Sequence, residues 1–322
     1  MKKLRWGVLG LSGHYQKRIH LPLSKFEGAE LYGLASRSLE KAEAAAERLG
    51  FRRAFGSYTE LIECRDIDAV YIPLPNTMHL EWIKKAADAG KHIICEKPLG
   101  LTEEETEEAF SYCESKGVYL MEAFMFRFHP QWLRVMEIVN SNEIGQIKAI
   151  QCVFSYDNTD PDNIRNKKEG GGALRDIGCY GIAVSSLIME RDPDGVQGLI
   201  DIDPNFETDR LTSFILDYSD CHSLVTVSTQ MQSAQNVKII GSSGSIEVLV
   251  PFNTYIDVPA RVRVLSGVGE RIIKTEIADQ YHAEFKAFSE AVLNNDSGFL
   301  KKMEAFSKRN QRVIDAVFKA GR

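Results

Sequence analysis

The chain has 322 residues, with 39 Lys and Arg against 45 Asp and Glu, and a formal net charge of −6. That length is more than one hydrophobic core ordinarily serves, so two domains are expected. Hydrophobic residues at 44% and charged residues at 26% exclude a disordered chain, a collagen-like fibre and a disulfide-stapled miniprotein. Lys and Arg are interleaved with Glu rather than gathered into a stripe, which argues against a nucleic-acid partner.

Up to Glu122, apolar runs alternate with helical patterns, as in a parallel sheet wound with helices. Leu4 to Leu9 reads as a buried strand ending at Gly10 and Gly13, and residues 30–35 read as a second. Ser38 caps a helix that runs to Leu49 and stops at Gly50. Ser57-x-x-Glu60 is a capping box before a short helix, and residues 69–74 are a strand. A helix over 77–89, with Leu80, Ile83 and Ala87 on one face, ends at Gly90 before a strand at 92–95. Thr102-x-x-Glu105 opens another helix, whose acidic first turn suits the helix dipole.

Beyond Glu122 the pattern changes to strand-like runs at 147–156, 211–218, 224–230, 237–240, 246–250, 261–265 and 271–277. Hairpin turns such as Ser219-Asp220 and Gly241-Ser242-Ser243-Gly244 join several of them, so an antiparallel sheet is expected. Helices at roughly 281–294 and 300–320 close the chain. The six cysteines (Cys64, Cys95, Cys113, Cys152, Cys179, Cys221) show no CxxC spacing. No zinc or dithiol site is therefore expected, and a reducing, cytoplasmic setting is. The apolar stretch after Lys2 and Lys3 is broken by Gly7, Gly10, Ser12 and His14, too early for a signal peptide. No run approaches the roughly 18–20 apolar residues of a membrane span.

The first strand runs into Gly10-Leu11-Ser12-Gly13-His14-Tyr15. Against Gly-x-Gly-x-x-Gly, Ser12 stands for the second glycine and Tyr15 for the third. A strand before it and a helical stretch after it would place a pyrophosphate on backbone N–H groups. The motif alone is equally compatible with a glycine turn that binds nothing. About 26 residues after Gly10, where an NAD enzyme places a carboxylate on the ribose 2′-hydroxyl, this chain has Ser36-Arg37, with Lys41 one helical turn on. A hydroxyl and a guanidinium attract a 2′-phosphate, so NADP is expected rather than NAD. Two further strand ends, Leu74-Pro75-Asn76 and Glu96-Lys97-Pro98, should border the ligand crevice at the carboxyl edge of the sheet. Proline holds Lys97 extended. No His/Asp/Glu/Cys cluster has metal-ligand spacing, so no metal is expected.

With Gly10-x-Ser12 and Glu96-Lys97-Pro98, the chain carries Glu122-Ala123-x-x-x-Arg127-Phe128-x-Pro130 and Gly170-Gly171-Gly172-x-Leu174-x-Asp176-x-Gly178-x-Tyr180. In this order the segments resemble the glucose–fructose oxidoreductase/inositol dehydrogenase (Gfo/Idh/MocA) family, in its dihydrodiol, D-xylose and sugar ketoreductase branch. The resemblance implies an N-terminal Rossmann dinucleotide-binding domain (1–122). It also implies a C-terminal α+β domain (123–322) with a large, mainly antiparallel open-faced sheet for substrate binding and homodimerisation.

The same resemblance implies that Lys97 contacts the nicotinamide ribose and the reacting oxygen. Asp176 and Tyr180, four apart on a helix, address one substrate. Tyr180, tuned by the lysine charge, carries the proton. His79 and Asn76 line the nicotinamide side, and Arg165 and Tyr281 touch cofactor or substrate. The implied activity is NADP(H)-linked hydride transfer at a carbinol or carbonyl carbon of a sugar or cyclic polyol, as in D-xylose dehydrogenases. Nucleotide-sugar ketoreductase and trans-dihydrodiol dehydrogenase activities are the enzymatic alternatives, and a dinucleotide-sensing regulatory protein is the non-enzymatic one.

Overall fold

The computed structural model describes residues 3–321. Residues up to Met125 form one unit together with Gln280–Lys308, and Phe126–Asp279 form another with residues from Arg309 on.

In the first unit the apolar runs become strands β1 (Leu4–Leu9), β2 (Ala29–Ala35), β3 (Arg53–Phe55), β4 (Ala69–Ile72), β5 (His92–Glu96) and β6 (Leu120–Ala123). All pair in parallel, in the order β3-β2-β1-β4-β5-β6. The order reverses between β1 and β4, which makes their carboxyl ends the topological switch point where doubly wound sheets bind dinucleotides. The connecting helices are α1 (His20–Ser24), α2 (Leu39–Leu49), α3 (Tyr58–Glu63), α4 (His79–Asp88) and α5 (Glu103–Ser115). Ser38, Ser57 and Thr102 cap α2, α3 and α5 by accepting the N–H three residues on. Gly50 ends α2 in the left-handed conformation. The return bonds of the two capping boxes go one residue further back. Glu60 accepts from Gly56 N–H at 3.3 Å and Glu105 from Leu101 N–H at 2.8 Å.

Two elements here carry no plain strand signal in the sequence. β3 has three residues, and β6 contains a buried glutamate, Glu122, which accepts the Leu99 N–H at 2.9 Å. The strand expected over 69–74 ends at Ile72, and the following helix opens with a tight turn at Asn76–Met78.

In the second unit, α6 (Pro130–Asn140) precedes β7 (Ile147–Asp157), and α7 (Cys179–Met189) precedes seven further strands. These are β8 (Gly195–Ile202), β9 (Asp209–Asp217), β10 (His222–Ser228), β11 (Gln230–Gly241), β12 (Ser245–Val248), β13 (Arg261–Ser266) and β14 (Gly269–Lys274). The sheet order is β14-β13-β12-β11-β7-β10-β9-β8, antiparallel throughout except for the parallel pair β7–β10. Close approach sets α7 on this sheet: a Cβ on Gly181 would come 2.5 Å from Val225, and one on Gly178 3.3 Å from Val227. The Ser185 and Ser223 hydroxyls bond across the same contact at 2.7 Å.

The chain ends with α8 (Gln280–Asn294) and α9 (Ser297–Ala320). A single boundary at 122–123 leaves both with the second domain, whereas here Gln280–Lys308 returns to the first unit. The cause is aromatic packing on the β1–β4 face: Phe285 meets Trp6 edge-on at 5.0 Å and Tyr71 at 5.4 Å, and Phe288 lies 5.9 Å from Trp6. Trp6, Phe285 and Phe288 are fully buried. Among the described residues no helix is long and apolar enough to cross a membrane.

Candidate active site

In the first unit, Gly10 leaves β1 at φ +111°, a conformation that favours glycine, and its N–H donates to Ala35 O at 3.1 Å. A side chain there would come 3.2 Å from the Tyr58 hydroxyl and 3.3 Å from Leu74. The turn after β1 and the loop after β4 are therefore neighbours. Ser12 replaces the expected second glycine and takes a structural bond, its Oγ accepting from Tyr15 N–H at 3.0 Å. Gly13 has open space where a Cβ would be, so the turn presents backbone without cover. Tyr15, at the third glycine position, points into the core beside Tyr71 and Phe51, and the chain widens into a π-type turn at Tyr15–Ile19 before α1.

Ser36, Arg37 and Lys41 stand at the end of β2 and the start of α2, and the arginine and lysine are exposed. Arg37 is close enough to Tyr58 to oppose the upward pull of burial on that phenol, which brings its charge to the Gly10 turn. An open glycine turn followed, at the next strand end, by a hydroxyl and two cations fits a phosphorylated dinucleotide.

His79 is fully buried, with Nε2 2.9 Å from Leu74 O and Nδ1 3.0 Å from Pro98 O. It joins the loops after β4 and β5 from beneath and holds Leu74-Pro75-Asn76 against Lys97-Pro98. Glu96 accepts from the Tyr71 hydroxyl and faces His14 Nε2 at 3.4 Å. Burial pushes its carboxyl up, but His14, Tyr71 and Lys97 together bring it down to about 2. Glu284, on α8, is buried near it, and both burial and the Glu96 charge raise its carboxyl well above the ordinary range. The same burial thus acts on two neighbouring carboxyls with opposite outcomes, because the groups around Glu96 favour its charge and the Glu96 charge disfavours that of Glu284. Tyr281 lies edge-on to His14 at 5.8 Å.

In the second unit, Gly170-Gly171-Gly172 leads into a π-type turn, Leu174–Gly178, that runs directly into α7. Asp176 sits in the wide turn and Tyr180 in the first turn of α7, so the four-residue spacing spans a junction rather than one regular helix. Asp176 is largely buried and accepts from Arg165 Nε at 2.9 Å and from the Tyr156 hydroxyl at 2.6 Å. The Asp176 charge raises Arg165, and Tyr180 acts on it in the same sense, which brings Arg165, Asp176 and Tyr180 into one cluster. The Tyr180 ring is boxed by Phe252 at 5.0 Å, Phe154 at 5.6 Å and Phe126 at 6.0 Å.

Tyr156 is a residue that motif reading missed. Burial first, then Asp176, raises its phenol far above its usual value, so it stays protonated and donates. The signal was the alternation Ile150, Cys152, Phe154, Tyr156, which puts it at the end of β7 on the helix-covered face. Among the described residues no group of three His, Cys, Asp or Glu is arranged to hold a metal ion.

Comparison with known proteins gives the family. Residues 4–124 match the family model for an oxidoreductase family with an NAD-binding Rossmann fold, and residues 132–247 match the GFO/IDH/MocA C-terminal domain. An uncharacterized oxidoreductase, ORF334, of Rhizobium meliloti is 39% identical over 91% of this chain and 90% of its own. D-xylose 1-dehydrogenase (NADP(+)) 2 of Haloferax volcanii is 34% identical over 98% of this chain and 97% of its own. Among solved structures, the 3-ketoreductase KijD10 of Actinomadura kijaniata, in complex with NADP and TDP-benzene, superposes with a TM-score of 0.94 at 28% identity, covering 100% of this chain and 98% of that one. KijD10 has also been solved with one tyrosine replaced by phenylalanine and with one lysine replaced by alanine. The chain belongs to the Gfo/Idh/MocA family of oxidoreductases.

Proposed function

We propose that the protein is an NADP(H)-dependent oxidoreductase that acts at a carbinol or carbonyl carbon of a sugar or cyclic polyol, with D-xylose-type aldoses as the first substrate class. The observation that carries this reading is Tyr180 in its aromatic box beside the Arg165–Asp176–Tyr156 network. NADP(H), when bound, supplies or accepts the hydride. Ser36, Arg37 and Lys41 take the 2′-phosphate, and the Gly10–Gly13 turn takes the pyrophosphate on backbone N–H groups. Leu74, Pro75, Asn76 and Glu96 line the nicotinamide side, and Tyr281 stands behind them through His14. Lys97 stabilises negative charge on the reacting oxygen while Tyr180 gives or takes its proton. Asp176, fixed by Arg165 and Tyr156, accepts a substrate hydroxyl.

The tyrosine and the lysine replaced in the KijD10 variants are separated by almost the same length of chain as Lys97 and Tyr180 here, which supports the same pair of roles. A dinucleotide sensor would have no use for that pair.

The test is turnover of D-xylose, other aldoses, dTDP-linked keto-sugars and trans-dihydrodiols with NADP(H) and NAD(H), followed by nicotinamide absorbance. Tyr180→Phe should lower kcat by about 10²–10⁴-fold and leave NADPH binding intact. Full turnover by that variant, or no turnover by the parent with any member of the panel, would refute the reading.

A further inference from the structure

A second carboxylate in the C-terminal unit has no place in the proposed chemistry and stands out by its burial. Asp209, the first residue of β9, is 4% exposed. Burial pushes its carboxyl up to about 6, against the opposing pull of Leu174 N–H, the Thr212 hydroxyl and Arg175. An apolar side chain at such a position is ordinarily the more stable choice. The bonds show what the charge holds. One oxygen, Oδ2, accepts the Leu174 N–H at 2.6 Å and the Thr212 hydroxyl at 2.9 Å. The other, Oδ1, lies 1.9 Å from where a Cβ on Gly172 would sit, and Gly172 itself is at φ +100°. Only glycine lets the carboxylate come so close.

Gly172 is held on its other side too. Its N–H donates to Arg165 O at 2.9 Å, and its carbonyl accepts the Asp176 N–H at 3.0 Å. A side chain on Gly171 would come 2.4 Å from both Arg165 O and Lys167 O. The backbone of the three glycines is thus threaded between the Arg165–Lys167 turn and Asp209. A closed ring follows: Arg165 backbone to Gly172, Gly172 to Asp176, and the Asp176 carboxylate back to the Arg165 guanidinium. Asp209 binds this ring from outside, at Leu174, the first residue of the wide turn.

We propose that Asp209 is a positioning residue for the reaction. It fixes the start of the Leu174–Gly178 turn, and so the placement of Asp176 and Tyr180, without touching substrate. This rests on the assignment of Asp176 and Tyr180 to the active site.

The test uses the full-length protein with the best-turned-over member of the substrate panel. Asp209→Asn keeps the shape and removes the charge, and Thr212→Val removes one donor and leaves the Leu174 bond. A displacement of the reacting groups by a fraction of an ångström should lower kcat about tenfold or more in Asp209→Asn and by a smaller factor in Thr212→Val. In both, KM should change less than kcat, and the NADPH dissociation constant and melting temperature should stay near those of the parent. A merely structural role would lower the melting temperature and leave the kcat of the folded enzyme unchanged, which would overturn the proposal. If Tyr180→Phe abolishes turnover while Asp209→Asn keeps the parent kcat, Asp209 alone is misassigned. If Tyr180→Phe keeps full turnover, the active-site reading fails and takes this proposal with it.

Discussion

At the scale of single residues, the candidate sites share one device, in which a charged group is held by neighbours that decide its state. Glu96 is held low because His14, Tyr71 and Lys97 outweigh its burial, and Glu284 is raised by its burial and then by the Glu96 charge. Asp176 is matched by a guanidinium and a phenol in the same way. Arg37 differs, being exposed and free to meet a phosphate. Arg37→Asp should therefore lower the NADP:NAD ratio of kcat/KM about tenfold or more, the scale of one charge-assisted hydrogen bond of about 1.5–3 kcal/mol. Steady-state kinetics with both cofactors measures this, and an unchanged ratio would remove Arg37 from the phosphate site. The positions of Gly10, Arg37 and Lys97 were legible in the sequence because each stands at a strand end. The roles of Tyr156 and Asp209 were not, because the groups of the wide turn that they hold, Asp176 and the Leu174 N–H, are 20 and 35 residues away and no local pattern pairs them.

At the scale of elements, most boundaries follow from local chemistry. Ser38, Ser57, Thr102 and Gly50 mark helix ends that the structure reproduces. α8 is the instructive case. Its sequence reads correctly as a helix, yet nothing within it says which sheet it will cover. The choice falls to Phe285 and Phe288, whose rings complete the face built by Trp6 and Tyr71. Phe285→Ala should cost about 3–5 kcal/mol, as aromatic truncation in a full core does. It should also weaken NADPH binding, because Glu284 and Tyr281 share its helix. Urea unfolding followed by NADPH fluorescence would show both effects. Loss of stability with unchanged NADPH affinity would show that α8 supports the core alone.

At the scale of the whole molecule, the large sheet has one face under α7 and one in the open. Val153, Thr226, Ser213 and Leu199 form a row across β7, β10, β9 and β8, and Gln151, Leu224, Ile215 and Gln197 form the next. Leu199 is 78% exposed, and Leu224 and Ile215 about half that. We propose that a second copy of the chain covers these exposed apolar side chains. Leu224→Glu with Ile215→Glu should convert a dimer into a monomer with little change in melting temperature, read by light scattering on a sizing column. A parent protein that already runs as a monomer would dispose of the idea.

The sequence by itself determined most of the strands and helices, though not β3, β6 or β8, and with them the helix caps, the glycine turn after β1 and the cationic end of β2, because each depends on residues within a few positions of one another. The tertiary structure decided the rest. It returned Gln280–Lys308 to the first unit, set β10 parallel to β7, threaded three glycines past Asp209, and gathered Arg165, Tyr156, Asp176 and Tyr180 into one network. These outcomes depend on which distant surfaces fill one another's gaps and which buried charges find partners, and no local pattern of residues records either.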